Sequence, residues 1–140
     1  MKGLKKRRLF HISPDDLGEE VLFYPRIPYN RFEGGEVFHP YIGETIYAED
    51  EKIKRICVSD SIRGCFKAMP FDREICYVYS PLSPMHVTRD LPLILVPDAK
   101  ETREHWILSK AWMVKIGEIQ ILEYDGVDVV KYKWSKKFKV

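Results

Sequence analysis

The stretch "EHWILSKAWMVKIGEIQILEYDGVDVVKYKW", Glu104 to Trp134, constrains the fold more than any other. It predicts a strand over His105 to Leu108, a second over Met113 to Leu122 and a third over Val127 to Trp134. The Asp125-Gly126 dipeptide between the last two favours the positive φ angles of a tight hairpin loop. A chain that commits its last third to strands joined this way builds an antiparallel sheet.

The remaining segments add strands and one convincing helix. "RRLFHISPDD" predicts a first strand over Leu9 to Ser13, with His11 pointing to the face opposite Phe10 and Ile12. "SPDDLGEEV" offers a serine cap and an early proline, hence a helical turn ending at Gly18. "LFYPRIPYNRFEGGEVFHPYIGE" mixes prolines, glycines and aromatics without a period and reads as a long ordered loop. In "RICVSDSIRGCFKAM", Ile56 to Val58 form a buried strand, Asp60 or Ser61 caps a helix, and Ile62, Cys65, Phe66 and Met69 follow at helical spacing until Pro70. "CYVYSPL" is a further strand, and Leu93 to Val96 a short edge strand between prolines.

The expected fold is therefore α+β: a mainly antiparallel sheet with few short helices. With 140 residues, 45% of them hydrophobic, the chain suits a single domain over residues 1–140 with one core. No apolar run reaches the ~20 residues that span a bilayer, and the basic N-terminus lacks a signal-peptide core. A cytoplasmic protein without membrane contact is expected. The three cysteines, Cys57, Cys65 and Cys76, lack CxxC spacing, which predicts buried free thiols rather than disulfides or zinc. A net charge of +2 excludes a strongly basic molecule, yet lysines and arginines crowd both ends. Gathered on one face they would meet nucleic-acid phosphates; spread out they are solvated tails.

Three segments, "LFHIS", "ICVSDSIRGCF" and "EHWILSKAWMVKIGEIQI", stand in an order that resembles the ADP-ribosyltransferase fold of poly(ADP-ribose) polymerases and NAD-dependent RNA 2′-phosphotransferases. In that family the first strand looks like L-W-H-G-S, the second like I-Y-F-A-D followed by a helix, and the third begins with Glu. The likeness covers a minority of residues, spread over most of the chain. It implies a split sheet that binds NAD as substrate. By this resemblance His11 corresponds to the histidine that holds the adenosine ribose, and Ser13 to the small residue after the nicotinamide-contacting glycine. Glu104 corresponds to the glutamate that stabilises the cationic sugar left when nicotinamide departs. Ile12 replaces the family glycine, and Cys57 replaces a tyrosine.

Independently of the resemblance, "YPRIPYNRF" sets Arg26 and Arg31 among Tyr24, Tyr29 and Phe32. Guanidiniums that bind phosphate then lie beside rings that stack on a base. The expected site comprises His11 and Glu104 as catalytic residues, with His11, Ser13, Arg26, Arg31 and Cys57 binding NAD or another ADP-ribose nucleotide. The acceptor would be protein or nucleic acid. Each residue also has a structural reading: His11 as a half-buried hydrogen-bonded residue, Glu104 as an exposed charge, Ser59 and Asp60 as helix caps. A non-catalytic binding or inhibitor protein, for instance of viral or mobile-element origin, is the alternative.

Overall fold

A computed structural model of the chain describes residues 8–27, 33–39, 44–48, 53–68, 74–83, 86–96, 99–126 and 128–138. In chain order the strands are β1 (His11–Ser13), β2 (Glu20–Phe23), β3 (Glu33–His39), β4 (Glu44–Ala48) and β5 (Ile56–Ser59), followed by helix α1 (Ile62–Ala68). Next come β6 (Ile75–Pro81), β7 (Val87–Thr88), α2 (Asp90–Leu95), α3 (Ala99–Thr102), β8 (Glu104–Ile107), β9 (Ala111–Tyr124) and β10 (Val129–Lys137). The chain is mostly antiparallel sheet with few short helices, as its composition of strand signals predicts.

β9 organises the larger sheet, whose order is β1-β6-β9-β10, with β2 also on β9. β2 pairs with residues Ala111 to Val114 and β10 with residues Gly117 to Tyr124. The ladder to β6 slips where Val78 faces Gly117 and Tyr79 faces Lys115. An irregularity of this kind shifts the two-residue alternation. Val114, Ile116, Ile119 and Ile121 consequently all belong to one hydrophobic cluster, which α1 covers with Cys65 and Phe66. Ala111 and Met113 turn the other way, to a second cluster with Leu9, Ile56, Val58, Tyr79 and Ile107.

The smaller sheet runs β5-β8-β7. Its Cys57 and Trp106 join Leu95, Val96 and Ala99 in a third cluster beneath α2 and α3. Ser61 caps α1, its Oγ accepting from Gly64 N at 3.2 Å. The Ser59 hydroxyl donates to the Thr102 carbonyl at 2.7 Å, which fastens β5 to the end of α3.

Three local expectations give way. Leu93 to Val96 is not an edge strand, since residues 90–95 form α2. Pro92 fits there because the first helical turn leaves its N–H groups without intrahelical partners, and burial of Leu95 and Val96 against Trp106 outweighs their strand preference. No helical turn forms over residues 14–18; Gly18 has φ +98° and leads straight into β2. The stretch expected as a long loop, residues 22–44, instead takes in the end of β2, all of β3 and the first residue of β4, with which β3 pairs. The last hairpin loop spans residues 125–128 rather than two residues, with Asp125 Oδ1 accepting from Asp128 N at 2.7 Å and Gly126 at φ +95°.

Candidate functional site

The two sheets meet at one rung. Phe10 N donates to Ser59 O at 2.7 Å and Ser59 N to Phe10 O at 2.9 Å. In a continued antiparallel ladder the next rung would join Ile12 to Cys57, because alternate residues aim their peptide groups at the same neighbour. Phe10–Ser59 is an isolated bridge, while β1 pairs with β6 along its other edge, so the two sheets part between β1 and β5. Farther along β5, the chain after β2 closes the gap: Arg55 N donates to Arg26 O at 2.9 Å and Arg26 N to Arg55 O at 3.0 Å.

His11 bridges this split. Its Nδ1 lies 3.2 Å from the Cys57 carbonyl of β5. A carbonyl only accepts, so Nδ1 carries the hydrogen and Nε2 keeps its lone pair. Burial is the strongest influence on the ring and lowers its pKa; the bond to Cys57 opposes this, the charge of Arg26 reinforces it, and the net shift is downward. A neutral imidazole results, able to accept from a hydroxyl. Phe23 of β2 stands edge-on to the ring at 4.9 Å, with Tyr79 behind it at 6.2 Å. Exposed Arg26 lies near enough for its charge to be felt.

The other expected residues are placed differently. Cys57 contributes its carbonyl to the split, while its side chain packs with Leu95, Val96 and Trp106. Ser13 is buried, and its hydroxyl donates to Asp15 O at 2.8 Å and accepts from Asp15 N at 3.1 Å, shaping its own turn. Arg31 lies outside the described residues. Glu104 is buried rather than an exposed charge, and its Oε2 accepts from Trp106 Nε1 at 2.6 Å. Ser59 stands opposite Glu104 and Cys57 opposite Trp106, so these four side chains share one face. Phe10, opposite Ser59, points to that face too. Strand alternation then turns His11 to the opposite face. The structure thus gathers His11, Arg26 and the Cys57 carbonyl, and sets Glu104 on the side covered by α2 and α3.

Phe23, the wall beside His11, carried a signal in the sequence: "EVLF" before Tyr24-Pro25 is a short strand, hidden by the prolines that follow. Asp60, expected as a cap, instead pairs with Arg103 through both carboxylate oxygens. Among the described residues no cluster of three or more His, Cys, Asp or Glu side chains is arranged to hold a metal ion. Nor, among them, is any helix long and apolar enough to cross a membrane. A scan against protein-family models, a search of curated proteins and a search of solved structures each found no match to the chain.

Proposed function

We propose that the chain binds NAD or a related ADP-ribose nucleotide at the split between β1 and β5. The observation that carries this reading is the neutral His11 ring anchored to the Cys57 carbonyl with Arg26 beside it. Nε2 accepts from a ribose hydroxyl, and the exposed Arg26 guanidinium neutralises the pyrophosphate. The order β7-β8-β5, joined at Phe10 to β1, places the three resembling segments on successive strands, which supports an ADP-ribosyltransferase-like scaffold.

Two features favour binding without group transfer. Ile12, in the position of the family glycine, sits 2% exposed beside Cys65 and Phe66, so a branched side chain fills the space next to the strand. Glu104, the counterpart of the catalytic glutamate, has its carboxylate engaged by the Trp106 indole and turned to the helix-covered face. A non-catalytic nucleotide-binding protein is therefore the first reading and an ADP-ribosyltransferase the second.

Calorimetric titration with NAD and with ADP-ribose tests the proposal. Either nucleotide should bind, and Arg26→Gln should weaken it about tenfold, the ~1.4 kcal/mol typical of a charge-assisted contact. Absence of heat with both ligands overturns it. Nicotinamide release that depends on Glu104 would instead establish the transferase reading.

A further inference from the structure

We propose that the α1 side of β10, together with the exposed side of α1, binds single-stranded nucleic acid. This surface lies at the far end of the sheet order from β1 and is independent of the nucleotide site. Among the described strands β10 lies at the edge of its sheet, with Lys131, Lys133, Lys136 and Lys137 exposed. Lys136 lies 3.9 Å from Glu118, and Lys131 stands across the ladder from Glu123. Lys133 and Lys137 have the uncharged partners Gln120 and Gly117. Arg63 and Lys67, one turn apart on α1, add two more exposed cations.

Aromatic rings interleave these charges. The Arg63 guanidinium lies 5.2 Å from the centre of the Tyr132 ring, and Lys137 Nζ 5.2 Å from that of Trp134. Both rings are half-buried and held from behind. Tyr132 meets Phe66 edge-on at 5.1 Å. Trp134 packs so closely on Gly117 that a Cβ there would stand 2.7 Å from a ring carbon. Protection of an edge strand against pairing accounts for lysines. It does not account for two fixed rings each carrying a cation, one of them from another element.

The spacing selects the partner. Rings two residues apart along a strand are separated by about 7 Å. That is about twice the ~3.4 Å step per nucleotide of a duplex strand. An extended, unstacked strand fits, its bases on Tyr132 and Trp134 and its phosphates on Arg63, Lys67 and Lys137, whereas Lys133 alternates to the other face of the sheet.

The full chain is titrated into fluorescently labelled oligothymidylate, the matched duplex, and heparin as a charge-only control, reading anisotropy. Expected are tighter binding to the single strand than to the duplex or heparin, and a log–log salt slope near about −2, from ~0.7 per phosphate neutralised. Trp134→Leu should lose about tenfold. The surface double variant Arg63→Gln/Lys137→Gln, which leaves both rings in place, should lower the slope by about 1.4. No binding at about 50 mM salt, equal affinity for heparin, or unchanged affinity and slope in the double variant would overturn the proposal.

Discussion

His11 couples the candidate site to pH through its own titration. Its folded pKa lies below the ordinary 6.5, so the unfolded chain binds the proton more readily. The stabilising contribution is complete above pH 6.5 and is lost as pH falls below that value. Urea midpoints measured between about pH 8 and pH 5 should fall on acidification, and His11→Gln should flatten that dependence. A wild-type midpoint equally steep in the variant would show that other groups govern the response. The thiols make a second residue-scale prediction. Burial pushes Cys65 up to about 12 and Cys76 up to about 11. The Cys65 thiol also points at the Phe10 carbonyl at 3.4 Å. A thiol reagent at neutral pH should therefore leave both unmodified in the native protein, and all three cysteines should react in denaturant.

At the scale of elements, α1 is fixed by an approach that only glycine permits. A Cβ on Gly64 would stand 2.1 Å from the Thr102 carbonyl, which also accepts from Ser59. Gly64→Ala should destabilise by about 1–3 kcal/mol by overpacking, although alanine is the better helix former by ~1 kcal/mol. A higher urea midpoint in that variant would show that α1 and α3 separate freely. Gly117→Ala makes the parallel test on the hairpin, where a Cβ would stand 2.4 Å from the Lys136 carbonyl.

The same elements show what the sequence makes legible. α1 was readable because its cap and apolar spacing agree with its burial; β9 and β10 were readable because alternation and a turn signal coincide. α2 was not, since its Leu93-Ile94-Leu95-Val96 run suits a strand and only packing against Trp106 decides. β2, β3 and β4 were hidden by prolines and glycines that weaken strand preference, a penalty that cross-strand pairing overcomes. For the site, residue types were legible and orientation was not. The face on which Glu104 lies follows from its register with Ser59, a long-range pairing that no local pattern encodes.

Across the whole molecule, side-chain bonds add to the strand ladders in tying remote segments together. Lys115 Nζ grips both oxygens of Asp16 at 2.9 and 3.0 Å, and Tyr79 Oη accepts from Leu17 N at 2.8 Å while donating to Gly18 O at 2.9 Å. These bonds hold the loop between β1 and β2, and hence Phe23, against the central strands. Lys115→Met should therefore increase amide exchange in residues 15–19 more than in α1. Uniform loss of protection would mean that the loop has no independent anchor.

β9 also has one flank shared by two strands in tandem: Lys115 N donates to Glu19 O at 2.8 Å beside β2, and Phe138 N to Ile116 O at 2.9 Å beyond β10. Neither occupant can be peeled away without laying bare a stretch of unpaired peptide groups on β9, the longest of the described strands. Nicking the chain near residue 126 and releasing β10 in mild denaturant should thus raise the apparent mass in size-exclusion chromatography, as copies pair along the bared edge.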